Sequence, residues 1–94
     1  MKQHEVSFAE GVAVALGRLP LVLRREVECT LDLIAWLPRR TGTVMVSAEA
    51  AHEVWSVQAA QGVVMKYQVP KRKAGQKIQG FHKLLVLSVE HVDL

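Results

Sequence analysis

From Glu26 to Leu33 the chain alternates without a break: Glu26, Glu28, Thr30 and Asp32 interleave with Val27, Cys29, Leu31 and Leu33. A period of two puts successive side chains on opposite faces of a pleated strand. This stretch therefore constrains the fold more than any other. It predicts a strand within residues 21–36 that is wet and acidic on one face and needs cover on the other. The same spacing appears in Val6 and Phe8 around Ser7, and again in Val12, Val14 and Leu16. Residues 5–16 thus read as a first strand or strand pair, interrupted at Glu10-Gly11, where a bulge fits. Gly17-Arg-Leu-Pro20 then breaks the pattern, because proline cannot donate to a ladder.

Residues 37–42, Leu-Pro-Arg-Arg-Thr-Gly, are turn material, and Thr43–Ser47 is a short β-rich segment that would close a hairpin. Ser47 suits a helix cap, Glu49 and Glu53 suit its first turns, and Gly62 suits the position after its end. Ala50, Val54 and Val57 would form the apolar face of that short helix, with Ala51 and Trp55 beside it. Val63–Val69 reads as a strand, and a last strand runs from about Lys83 to Leu94. The order β-β-β-α-β-β is that of an all-β, five-stranded OB-fold barrel, whose loops bind oligonucleotides or oligosaccharides.

The 94 residues read as one OB-fold-like domain, 1–94, with no internal repeat or linker. Apolar residues make up 50% and charged residues 22% of the chain, a balance that can offset the entropy of ordering. The longest uncharged stretch, Val54–Met65, is too short and too polar to cross a bilayer. Met-Lys-Gln-His-Glu at the start lacks the pattern of a signal peptide. Cys29 is the one cysteine, which points to a reducing cytoplasm. On the apolar face of its strand it reads as an inert buried thiol. His4, His52, His82 and His91 are widely spaced, so no metal, cofactor or catalytic constellation is expected, and the chain reads as a non-enzyme.

Charge is polarised along the sequence. Between Val54 and Val89 there is no Asp or Glu, yet Lys66, Lys71, Arg72, Lys73, Lys77 and Lys83 fall there, four of them in Pro70-Lys-Arg-Lys-Ala-Gly-Gln-Lys77. A cationic loop between strands suits a polyanion, since neutralised phosphates release counterions. Single-strand binding also uses aromatic stacking. Trp36, beside Arg39 and Arg40, and Phe81 in the basic segment are the candidates, with Trp55 expected in the core and Tyr67 in core or platform according to register.

The strand Val63-Val-Met-Lys-Tyr-Gln-Val69, the basic loop with Gly75, and Lys83-Leu-Leu-Val-Leu-Ser-Val-Glu-His-Val-Asp-Leu94 resemble the closing hairpin of bacterial single-stranded DNA-binding proteins. More closely they resemble that of the primosomal replication protein N (PriB) family. Gly17-Arg-Leu looks like that family's turn after its first strand, and Glu28-Cys-Thr-Leu-Asp-Leu33 like its second strand. The resemblance implies an OB fold, non-catalytic binding of single-stranded DNA in replication or replication restart at the primosome, and assembly into a dimer or tetramer. The residues themselves leave RNA open as the strand that is bound. A competing expectation is a homodimeric β-barrel interaction subunit that binds no nucleic acid and pairs through its strand edges.

Overall fold

Residues 21–36 form a helix. The computed structural model describes residues 5–40, 42–49, 51–70 and 83–92. Its elements are β1 (Glu5–Phe8), α1 (Val12–Gly17), α2 (Leu21–Trp36), β2 (Thr43–Ala48), β3 (His52–Ala60), β4 (Val63–Pro70) and β5 (Lys83–His91). The alternation at 26–33 is real, but the burial follows a helical period: Val27, Ile34 and Ala35 are buried, and Leu23 and Leu31 pack beside them. Cys29 and Leu33, which a strand would bury, are exposed. Sixteen residues are also long for a strand. Pro20 sits at the helix start, where its fixed φ and missing N–H cost nothing. Arg24 Nη2 donates to Gly17 O at 2.9 Å and Leu19 O at 3.3 Å, tying α2 back over the turn that joins it to α1.

Val12, Val14 and Leu16 are likewise helical. Gly11 has φ +86°, a left-handed conformation suited to glycine, and starts α1. Val12 and Leu16, four apart, face the core, while Val14 between them is exposed.

The five strands make one open mixed sheet in the order β1-β5-β4-β3-β2. β1 runs parallel to β5, and the other neighbours are antiparallel. β1 and β2 end the order and do not pair with each other, so the expected OB barrel is not formed. Two helices occupy one face in its place. α1 packs on β5, and α2 on β3 and β1. Val57, Ala59, Val63, Met65, Tyr67, Val69, Leu84 and Val86 line that face and form the core together with Val27 and Ile34. No polar or charged residue among the described residues is buried there.

The helix expected after Ser47 is also absent, since His52–Ala60 is β3. Val57 and Ala59 point to the helices while Gln58 is exposed, a spacing of two. Gly62, taken above as a helix terminator, instead occupies the two-residue turn between Ala60 and Val63. Both settings use its positive φ, here +74°. A Cβ at this position would also lie 3.0 Å from Val92 O, and Val92 N donates to Gly62 O at 2.8 Å. Gly62→Ala should therefore cost about 1–3 kcal/mol, seen as a lower urea midpoint at unchanged slope. An unchanged midpoint would contradict the turn geometry.

Candidate partner-binding surface

The turn between α2 and β2 is fixed by three contacts. The Tyr67 hydroxyl, rising from β4 inside the core, donates to Pro38 O. Thr43 Oγ1 donates to Arg40 O at 2.6 Å. Arg39 Nε donates to Glu53 Oε1 at 2.7 Å, with a matching ion pair at 2.7 Å, and Arg39 Nη2 reaches Pro70 O at 3.4 Å. Trp55 Nε1 shares the Glu53 carboxylate at 3.1 Å. Burial lifts the Tyr67 pKa to about 12, against a smaller pull downward from Thr43 and from the positive charges of Arg39 and Arg40. The phenol is therefore a neutral hydrogen-bond donor through the physiological range.

This clamp decides where β2 runs, and β2 is the unusual strand. Val44, Met45 and Val46 are 65%, 49% and 51% exposed. Val44 stands opposite Ser56 on the face without helices, and Met45 opposite Trp55 on the helix face. The register shifts between Met45 and Ser47, so Val46 is the extra residue of a bulge. Leu33, Trp36 and Leu37, at the end of α2 from which the clamped turn leads into β2, are also exposed. Isolated exposed apolar residues are ordinary, but a run along a strand edge next to an exposed apolar helix end marks a contact surface.

Of the residues expected to bind nucleic acid, Trp36, Arg39, Arg40, Lys66 and Lys83 are among the described residues. Lys66 lies half-buried at the middle of the open face, with Ser56 on one side and Ser88 on the other. Lys83 begins β5, in register with Glu5 of β1. Arg39 is engaged with Glu53, and Arg40 faces the Tyr67 clamp, both at the helix end of the molecule. Trp36 is exposed at the last position of α2. Lys71, Arg72, Lys73, Lys77 and Phe81 lie outside the described residues. Trp55 packs against the core, as expected, but from a strand.

The described residues also line shallow clefts. One, of about 340 Å³, lies on the open face among Ser7, His52, Gln68, Pro70, Lys83, Leu84 and Leu85. Another, of about 220 Å³, lies between β1 and α2, with Val6, Phe8, Leu31 and Ala35 as its apolar lining and Glu28 and Asp32 as acids. Among the described residues no group of three or more His, Cys, Asp or Glu is placed to hold a metal ion, and no helix is long and apolar enough to cross a membrane. Sequence reasoning missed the apolar surface. Its signal was the uninterrupted Val44-Met-Val46, together with Leu33 falling off the buried stripe once 21–36 is wound as a helix.

No family model and no curated protein matches this chain. Among solved structures, it is similar to a chain of the crystal structure of an archaeal RelE-RelB complex from Pyrococcus horikoshii OT3. The TM-score is 0.74 at 14% identity, with 96% of each chain covered. At that identity the likeness shows the fold. It overturns the resemblance to single-stranded DNA-binding and PriB proteins, and with it the expected replication role at the primosome and the expected partners, single-stranded DNA and further copies of the chain. The strand patterns that carried that resemblance are β4 and β5 of a different sheet.

Proposed function

We propose that this chain is the folded, toxin-side member of a toxin–antitoxin type protein pair, held in the cytoplasm by a small partner protein. The carrying observation is the likeness of nearly the whole chain to a chain of a RelE–RelB complex. The apolar surface at β2 and the end of α2 supports it, because leaving such a surface in water costs free energy until a second chain covers it.

Expression of the chain in a bacterial culture should slow growth. Co-expression of its cognate partner protein should restore growth and give a stoichiometric complex on size exclusion. Unimpaired growth together with two separately eluting proteins would overturn the proposal. We further propose that the chain acts by binding and not by catalysis. Purified protein should leave RNA and DNA intact after prolonged incubation, and new cleavage products that track with the protein peak would make it an enzyme.

A further inference from the structure

The two edges of the sheet are built differently. β1 is four residues long and carries Glu5. Shortness and charge are the devices by which native sheets keep an edge from pairing with another chain. β2 has six residues, Thr-Val-Met-Val-Ser-Ala, with no charge and no proline, and its one irregularity is the bulge at Val46. Among the described residues its outer row of N–H and C=O groups has no neighbouring strand in the sheet order. Such a row is satisfied by water or by another extended backbone.

We propose that β2 takes up an extended segment of the partner protein, which becomes a sixth strand of the sheet. The inference rests on the proposed pairing and specifies how the pairing is made. Main-chain hydrogen bonds to β2 would supply the attachment, and side chains on alternate faces the selectivity. Against Val44 on the open face and Met45 on the helix face, the segment needs uncharged side chains on both sides. A Lys or Glu there would lose its water with nothing on β2 to pair with.

Length argues for a foreign segment over a second copy of β2. Six residues of strand span about 20 Å. Paired with itself, that edge falls short of the ~1,000 Å² that a stable interface covers. A partner chain can run on past β2 and cover Leu33, Trp36 and Leu37 as well, using one continuous stretch of polypeptide.

The test uses the full-length chain and two probes. The first is the co-expressed partner protein whose complex is tested above. The second is a capped hexapeptide, Thr-Val-Thr-Val-Thr-Val. Val44→Lys and Val46→Lys alter side chains that already stand in water, so the thermal midpoint of the free chain should hold. Each should weaken binding of the protein probe at least about tenfold, since the added ammonium must be desolvated on docking. Ser7→Lys on β1 should leave binding unchanged. Hydrogen exchange at the amides of β2 should slow at least about tenfold with either probe.

A complex that forms equally well with both lysine variants, and whose β2 amides exchange at the free rate, overturns the edge assignment and leaves the pairing intact. Absence of any protein complex overturns the pairing. The peptide then still decides the edge: protection along β2 supports it, and protection at β1 or nowhere overturns it.

Discussion

Ile34→Ala should lower the unfolding free energy by about 2–5 kcal/mol, the cost of emptying a buried aliphatic site that cannot fully collapse. Leu33→Ala, one residue away, should change it by less than about 0.5 kcal/mol. Ile34 is 0% exposed and packs in the cluster that joins α2 to β3 and β4, whereas Leu33 is 50% exposed. Alanine is also the better helix former, so part of the lost contact at Leu33 is returned through the backbone. A domain of this length is stable by roughly 5–15 kcal/mol, so the first change removes a large share of the total and the second is barely seen. Urea unfolding of both variants, with slopes compared to confirm a common unfolded state, makes the measurement. The pair also separates two folds. A strand with Val27, Leu31 and Leu33 on its covered face would reverse the order of the costs, and a reversed order would remove α2 from the structure.

That reversal shows where local pattern stops being informative. Eight residues alternate from Glu26 to Leu33, but Val27, Leu31 and Ile34 are equally well spaced for a helix, and short windows satisfy both periods. Length and Pro20 at the start favour the helix, and neither is registered by the alternation itself. Strand β4 was legible because its burial has the same period as its sequence, and β2 and β5 because Thr43–Ser47 and Leu84–Val89 are rich in strand-forming apolar residues. Val63, Met65, Tyr67 and Val69 are buried in strict alternation under the helices. β3 was misread for a different reason: Ser47, Glu49 and Gly62 are signals shared by helix ends and tight turns, and only the pairing of Ala60 with Val63 decides between them.

The partner surface was hidden one level further up. Val44-Met-Val46 reads as an ordinary buried strand until the strand order puts β2 at an edge, and strand order depends on which distant segments pair. The charges drew the eye because charge is visible residue by residue. Exposure of apolar groups is a property of the assembled sheet. A surface made this way is also specific, since it exists only when the clamp at Pro38, Arg40 and Glu53 holds the α2–β2 turn in place.

The clamp itself gives the second large effect: stability should fall as pH rises from about 10 to about 12, and Tyr67→Phe should abolish most of that fall. In the unfolded chain the phenol ionises near its model value of 10.0, while in the folded chain burial holds its proton to about 12. Between those values the unfolded state binds fewer protons than the folded one, so unfolding becomes easier as pH rises. Two pH units correspond to about 2.7 kcal/mol at full separation, reached only above the folded pKa, and about half of that is lost by pH 11. The phenylalanine variant should begin about 1–2 kcal/mol less stable, because Pro38 O loses its donor, and should then decline less steeply. Lysines titrate in the same range, and comparison of the two proteins cancels their share. Tyr67 is the one tyrosine in the chain, so tyrosinate absorbance reports its ionisation without ambiguity. An absorbance midpoint near 10 in the folded protein, or parallel stability curves for the two proteins, would mean that the phenol is not sealed beneath the α2–β2 turn.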